Sequence, residues 1–239
     1  MDMYNYVLIP GAWLGGWVWY NVDRILEKSD HNVFPITLTG MGERIHLASP
    51  EIGMKTAIDD VLNVIKFNDL ENIVLVGHSF AGKVAAAVSD RIPEKIIMTV
   101  YLDSFRPKDT GEPQGISDPT EEFGPLDAGS FAIPFSETVL DNIGKDVQGQ
   151  NKRWMLDKCT PWPIKLATDP IILTRSPHLM NTGYIFCSMG DPVDEIVDEI
   201  IQGKWGKLNG PFRVMETGHY PMITKPDELA KYLLEFPEL

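Results

Sequence analysis

A serine between an apolar run and a run of small residues is the first candidate for chemistry in this chain. The run from Ile73 to Val76 is apolar and mostly β-branched, Gly77 closes it, and Ser79 follows two residues later. Small residues begin at Ala81, which suits a helix packed closely on a sheet. This order predicts a nucleophile elbow, in which strained backbone exposes the serine oxygen above the sheet. The strict G-x-S-x-G pattern fails at Ala81, and a plain serine cap of a helix is the alternative.

A catalytic serine needs a base to accept its proton, and His219 has the best position among the five histidines. It follows the last strand-like run and precedes the last helical one, so it lies at the carboxyl edge of a parallel sheet, where the elbow also lies. We therefore expect His219 to be the base; the alternative is a solvent-exposed loop histidine. We expect His78, beside the serine, either to support the catalytic groups without touching the substrate or simply to pack in the core. No role is predicted for His31, His46 or His178.

Two aspartates could orient the imidazole and stabilise its charged form. Asp191 follows the strand-like run Gly183 to Cys187, and Asp103 follows the run Ile96 to Leu102. We favour Asp191 as the acid on chain order and loop position. Asp103 is the alternative acid, or else a residue that makes a cap or loop hydrogen bond.

The loop after the first apolar run could supply part of an oxyanion hole. Acyl transfer needs two donors aimed at the developing oxyanion. We expect these to be the backbone N–H groups of Phe80, which follows the serine, and of Ala12. Gly11 would let the backbone approach closely. The alternative is a plain Gly/Pro turn whose tryptophans belong to the core.

Strand-like and helical patterns alternate along the chain, which predicts an α/β fold with a mainly parallel, doubly wound sheet. We expect a single domain over residues 1–239. Residues 104–162 break the alternation with many prolines and glycines and one helical stretch, Glu137 to Leu156, so we predict a lid insertion there. The predicted strands are 6–9, 32–38, 73–76, 96–102, 183–187 and 212–215, and the other predicted helices are 17–28, 54–65, 81–87 and 226–234.

Composition limits the classes of partner. The 239 residues carry a net charge of −13, which disfavours binding to nucleic acid. No apolar run reaches the length of a membrane helix, the N-terminus has no signal-peptide pattern, and Cys159 and Cys187 form no C-x-x-C pair. We therefore expect a cytoplasmic protein without membrane contact. No metal-ligand or dinucleotide motif occurs, so we expect no metal and no cofactor.

Four segments together resemble a known family. Ile9 to Trp17, Leu38 to Arg44, Gly77 to Gly82 and Gly218-His219 are similar to the small enzymes of the α/β-hydrolase fold that include plant methylesterases, hydroxynitrile lyases and bacterial esterases of the pyrethroid-hydrolase type. The likeness covers nearly the whole chain and is weakest across the lid. In that group the acid lies 28 residues before the histidine, which is the spacing between Asp191 and His219.

Two departures separate this chain from parts of that group. Many relatives have His-Gly where this chain has Pro10-Gly11, and Pro-Gly-Ala-Trp is typical of the bacterial esterase branch. The lyases carry a threonine at the position of Gly11 and a lysine at that of Tyr220. Neither lyase group is present, which argues against cyanohydrin chemistry.

The resemblance implies a serine hydrolase that cleaves a small, largely apolar carboxylic ester through an acyl-enzyme. The alternatives are a ligand-binding homologue without turnover, and a lyase or C–C hydrolase that uses the same triad. The expected partner is a small-molecule ester, and the oligomeric state stays open. Large apolar residues of the lid and loops are candidates to line the pocket: Trp13, Phe105, Phe131, Phe135, Trp154, Met155 and Met180.

Overall fold

A central sheet of six parallel strands organises the chain. The computed structural model describes residues 3–104, 110–111, 113, 126–127, 129–176, 179–206 and 208–239. The strand order is β2-β1-β3-β4-β7-β8, which confirms the predicted α/β-hydrolase fold. A separate two-stranded antiparallel sheet pairs β5 with β6. The strands are β1 Asn5–Ile9, β2 Asn32–Pro35, β3 Ile73–His78, β4 Ile96–Leu102, β5 Ala132–Ile133, β6 Trp162–Pro163, β7 Thr182–Cys187 and β8 Phe212–Met215.

Helices connect the parallel strands, and a hydrophobic core lies between the helices and each face of the sheet. The described α-helices are α1 Tyr20–Glu27, α2 Met54–Phe67, α3 Ala81–Arg91, α4 Glu137–Ile143, α5 Gly149–Lys158, α6 Ile164–Thr168, α7 Val193–Ile201, α8 Pro221–Thr224 and α9 Pro226–Glu235. Short 3-10 helices lie at Gly16–Trp19, Gly42–Leu47, Pro93–Lys95 and Phe236–Glu238. No helix of the described residues is both long and apolar enough to cross a bilayer.

Alternate side chains of the central strands enter two separate hydrophobic cores. In β3, Leu75 points to the core covered by α2 and α3, while Val74 and Val76 point to the core covered by α1 and α9. All six residues of β3 are buried. Burial on both faces explains why this strand reads as a continuous apolar run rather than an alternating pattern.

The segment predicted to be a lid, residues 104–162 and called the cap below, differs in detail from its prediction. The helix predicted over 137–156 is two helices, α4 and α5, because the chain turns at Gly144. A side chain there would collide, since a Cβ atom on Gly144 would lie 2.9 Å from Cδ2 of Tyr220. The second strand also ends at Pro35, earlier than the predicted residue 38.

The junction between β3 and α3 leaves no space for a side chain at Gly77. A Cβ atom there would lie 2.7 Å from the Ala81 carbonyl oxygen and 2.9 Å from the Ala85 Cβ. The first contact is with backbone, which cannot rotate away. The glycine before the serine is therefore required by packing, and Ala81 and Ala85 are small for the same reason.

Gly77→Ala should destabilise the fold by about 1–3 kcal/mol, because it overpacks a junction with backbone on both sides. Urea unfolding followed by circular dichroism measures the change. Ser29→Ala, at an exposed turn, is the control and should stay close to the wild-type free energy of unfolding. Equal stability of Gly77→Ala and wild type would show that the junction is looser than described.

Candidate active site

Ser79 occupies strained backbone at the start of the turn between β3 and α3. Its φ is +57°, a conformation that L-residues with a side chain rarely adopt. The Ser79 N–H donates to the Leu102 carbonyl oxygen (3.1 Å), and the Ser79 carbonyl oxygen accepts from the Ser104 hydroxyl (2.6 Å). The residue is partly exposed, whereas Gly77 and His78 before it are buried. This is the geometry expected of a nucleophile elbow.

Left-handed backbone recurs at the carboxyl edge of the sheet. Trp13, Ser79, Asp103 and Met189 all have positive φ, and they follow β1, β3, β4 and β7 respectively. Each such conformation in a non-glycine residue costs about 1–3 kcal/mol and persists only where the surroundings enforce it. Three further described residues, Asp30, Asp69 and Asn72, have positive φ elsewhere in the fold. Four of the seven described non-glycine residues with positive φ therefore lie in loops at the sheet edge that contains Ser79.

His219 follows β8 and is held by three hydrogen bonds. Its N–H donates to the Ile143 carbonyl oxygen (2.8 Å), and its carbonyl oxygen accepts from Nε2 of His78 (2.8 Å). Its Nδ1 is 2.6 Å from Oδ2 of Asp103. The rings of His219 and His78 lie 4.6 Å apart, so the histidine is beside the elbow as the sequence predicts. Within the described residues, no hydrogen bond joins the Ser79 hydroxyl to the His219 ring.

The carboxylate that contacts His219 belongs to Asp103, so the prediction that Asp191 orients the imidazole is wrong. Asp103 follows β4, the strand directly beside β3. Asp191 lies beyond a turn in which the Ser188 N–H donates to the carbonyl oxygen of Met215, the last residue of β8, and the Met189 N–H donates to that of Thr217 in the loop after β8. This turn leaves Asp191 exposed to solvent. Chain order could not separate the two aspartates, because both follow strands that end at the same edge.

The surroundings of Asp103 keep its carboxylate charged. Burial alone would raise the pKa of Asp103, but the hydrogen bond and charge of His219 and the N–H of Cys187 oppose it and lower the pKa overall. The Cys187 N–H lies 3.0 Å from Oδ1, so each carboxylate oxygen has its own donor. The Asp103 carboxylate can therefore fix the tautomer of His219 and stabilise a protonated ring.

The two backbone donors predicted for an oxyanion hole belong to the elbow and to the loop after β1. Phe80 directly follows Ser79 and precedes α3, and Ala12 follows β1. Neither N–H donates to an acceptor among the described residues. Gly11 brings the loop close, because a Cβ atom on it would lie 3.0 Å from the Ser79 Cβ. Their role as donors to an oxyanion is part of the function proposed below.

Comparison with known proteins matches this chain to one family. Residues 6–232 fit the alpha/beta hydrolase family. The chain belongs to this family. It is 31% identical over 245 residues to a carbendazim hydrolyzing esterase from Nocardioides sp. (strain SG-4G), an alignment that covers 97% of this chain and 98% of that protein. It is 28% identical to methylesterase 9 of Arabidopsis thaliana, over 99% of both chains.

A solved structure has the same fold. An extracellular alpha/beta-hydrolase from a Paenibacillus species, described as sharing structural and functional homology with tobacco salicylic acid binding protein 2, superposes with a TM-score of 0.79. Its sequence identity is 20%, and the match covers 98% of this chain and 99% of that one. At this identity the likeness supports the fold alone. The resemblance read from the four sequence segments is confirmed.

An aromatic cluster of this hydrolase chain lies next to the elbow. The Trp13 ring is 5.6 Å from Phe135 and 5.5 Å from Trp162, and the Phe80 ring is 5.0 Å from Trp162. The Trp13 indole N–H also donates to the Ile133 carbonyl oxygen (3.0 Å). Sequence analysis missed Trp162, because nothing in its local pattern separates it from an ordinary core tryptophan.

Other candidate pocket residues lie elsewhere. Met155 is fully buried in the core that contains α1 and α9, and the Trp154 ring packs on Trp17. Met180 precedes β7, at the opposite edge of the sheet from Ser79. The predicted place of Met180 near the serine is therefore wrong, since large apolar residues are more often core than pocket. The pocket roles of Trp154 and Met155 stay predictions. Phe131 lines a separate cavity of about 440 Å³ with Ile45 and Pro161. Phe105 and His178 lie outside the described residues.

His78 is a buried neutral histidine beside the candidate base. Burial, and after it the positive charge of a protonated His219, lowers the pKa of His78 to about 3. Its side chain is fully buried.

No group of three or more His, Cys, Asp or Glu side chains in the described part of the chain is arranged to hold a metal ion.

The wild type should lose stability on acidification through His78. Its folded pKa is below the unfolded value of 6.5, so the unfolded chain binds a proton first and the free energy of unfolding falls as pH drops from 6.5 toward 3. Between pH 7.5 and 5.0 this costs about 2 kcal/mol. In urea unfolding at both pH values, His78→Gln should lose about 2 kcal/mol less than wild type.

The exposed His46 provides the control for that measurement. His46→Gln should keep the full wild-type loss of stability between the two pH values, because an exposed imidazole is solvated in both states. If His78→Gln keeps the same pH dependence as wild type, His78 is not held neutral.

Proposed function

We propose that this chain is a serine hydrolase that cleaves a small, largely apolar carboxylic ester. The observation that carries the proposal is the placement of three groups at one sheet edge. Ser79 is in strained backbone, and the hydrogen-bonded pair of His219 and Asp103 lies beside it. A hydroxyl, an imidazole and a carboxylate in this order are the components of acyl transfer by a triad.

The first half of the reaction forms an acyl-enzyme. The Ser79 oxygen attacks the ester carbonyl carbon while Nε2 of His219 takes the hydroxyl proton. The carbonyl oxygen gains negative charge, which the N–H groups of Ala12 and Phe80 stabilise. His219 then gives its proton to the alcohol oxygen as the C–O bond breaks, and the alcohol leaves. The Ser79–His219 hydrogen bond forms with substrate in place, since such bonds are often long in free enzymes.

The second half releases the acid. Water takes the place of the alcohol, and His219 removes one of its protons as the water oxygen attacks the acyl carbon. The tetrahedral species collapses, the Ser79 oxygen recovers the proton from His219, and the carboxylic acid departs. Asp103 remains ionised throughout and balances the charge of the imidazolium.

Two kinds of support favour an ester as substrate. The curated relatives at 31% and 28% identity are named as a carbendazim hydrolyzing esterase and a methylesterase. The aromatic cluster of Trp13, Phe80, Phe135 and Trp162 gives the region around the serine an apolar surface. Such a surface suits an apolar acyl or alcohol group better than a charged one. The cytoplasmic location remains a prediction.

Ser79→Ala should lower the hydrolysis of p-nitrophenyl acetate and butyrate more than a thousandfold, because removing a triad nucleophile usually costs at least that much. Initial rates measured at 405 nm give kcat/KM for both esters. Ser29→Ala is the matched control, a serine at an exposed turn, and should keep wild-type activity. Retention of more than about a thousandth of the activity in Ser79→Ala would rule out this nucleophile.

A fluorophosphonate probe separates the hydrolase from a ligand-binding homologue. Labelling of wild type and not of Ser79→Ala is the outcome for an activated serine, whereas a binding protein would remain unlabelled. Product analysis with ester, cyanohydrin and diketone panels separates ester hydrolysis from lyase and C–C hydrolase chemistry on the same triad.

The two aspartates should differ sharply in activity assays. Asp103→Asn should lower kcat by about three to four orders of magnitude, because the amide would favour the wrong imidazole tautomer. Asp191→Asn removes an exposed carboxylate of the same size and should leave kcat within about twofold of wild type. The reverse ranking would restore Asp191 as the acid. Circular dichroism of both variants checks that each is folded.

A further inference from the structure

His78 contacts the proposed base in a way that the triad does not explain. Its Nε2 lies 2.8 Å from the carbonyl oxygen of His219, and the two rings are 4.6 Å apart. We propose that His78 is a positioning residue, which fixes the imidazole of His219 by donating a hydrogen bond to the His219 backbone carbonyl. This inference rests on the serine-hydrolase function proposed above.

The backbone of His219 is held on both sides of its Cα atom. Its N–H donates to the Ile143 carbonyl oxygen, which belongs to the cap, and its carbonyl oxygen accepts from His78, which belongs to the elbow. The ring is then fixed at Nδ1 by Asp103. Without the His78 donor, His219 itself would keep only its hydrogen bonds to Ile143 and Asp103 among the described residues, although Thr217 would still anchor the loop to Met189 and Asp146. The His78 bond therefore couples the position of the base directly to the residue next to Ser79.

The hydrogen-bond pattern determines the tautomer of His78. A backbone carbonyl only accepts, so Nε2 must carry the proton and Nδ1 is a bare acceptor. That Nδ1 is buried and has no hydrogen-bond partner among the described residues. The Gly11 backbone faces it, since a Cβ atom on Gly11 would lie 2.7 Å from Nδ1.

Stability alone does not account for a histidine at this position. A buried acceptor left unpaired costs about 1–3 kcal/mol, which an apolar side chain of similar size would avoid. Among the described residues, the ring makes one hydrogen bond: Nε2 donates to the backbone carbonyl of His219, the proposed base. This asymmetry is the main argument for a positioning role.

Electrostatics favour a neutral donor next to the base. His219 becomes positively charged during each half-reaction, and a second charged ring 4.6 Å away would oppose that change. The titratable groups that face His78 are His219, Asp103 and Tyr220, whose ring is 6.0 Å away. Burial keeps His78 neutral in their presence, so the ring supplies a hydrogen bond without adding charge.

Two variants of similar shape test the hydrogen bond. Gln at position 78 retains an N–H donor at a comparable reach, while Met has similar length and no donor. His78→Met should lower kcat for p-nitrophenyl butyrate about 10- to 100-fold with KM within about threefold, since small misplacement of a catalytic group can cost that much. His78→Gln should recover kcat to within about threefold of wild type.

A spectroscopic measurement on the same proteins reports the imidazole itself. The proton shared between His219 Nδ1 and Asp103 should give a low-field proton signal in wild type and His78→Gln, and a shifted or lost signal in His78→Met. Equal kcat losses in both variants would indicate a packing role, and an unchanged kcat in His78→Met would remove the positioning role. Either result overturns the inference.

The wild-type protein provides a test that does not depend on the folding of any variant. Two-bond ¹H–¹⁵N spectra of the imidazoles should show His78 as the neutral Nε2–H tautomer from pH 5 to 8. An Nδ1–H tautomer, or a charged ring, would overturn the inference. If wild type instead fails to hydrolyse esters and to label with the fluorophosphonate probe, the proposed function itself is wrong, independently of this tautomer.

Discussion

The hydrogen bond between His219 and Asp103 is the interaction on which the active-site geometry depends. It joins the loop after β8 to the loop after β4, 116 residues apart in the chain, at 2.6 Å. The charged Asp103 carboxylate is stabilised by a hydrogen-bond donor to each of its oxygens, the His219 ring and the Cys187 N–H. Removing either partner would leave a largely buried charge or a mobile ring, so the pair has to be assembled together.

Close backbone approach is the second constraint. The loop after β1 packs against the elbow so tightly that Gly11 has no space for a side chain, and Gly77 is equally crowded from α3. These contacts hold Ser79 in left-handed backbone, which an isolated chain would leave. Ala12, one of the two donors proposed for the oxyanion, follows Gly11 directly in this loop. Packing thus provides the strain at Ser79 and holds the loop after β1 beside it.

The cap contributes contacts to the loops around the serine. Trp162 of β6 contacts both Trp13 and Phe80, and Ile143 of α4 accepts the His219 N–H. The cap is therefore bonded to the base and packed on the proposed oxyanion loop. Changes in the cap would be expected to alter the geometry of catalysis together with the shape of the apolar surface.

Local sequence pattern determined the strands and helices of this protein, whereas tertiary packing decided which side chains contact one another. The sequence alone predicted the parallel sheet, Ser79 and His219, because an apolar strand, a tight turn and small helical residues are local signals. It favoured Asp191 over Asp103 wrongly, since both follow strands whose carboxyl ends meet at one edge and only the sheet order places Asp103 beside the elbow. It also missed Trp162 and misplaced Met180. Which large side chain faces a pocket depends on how distant segments pack, and that information is absent from any one segment.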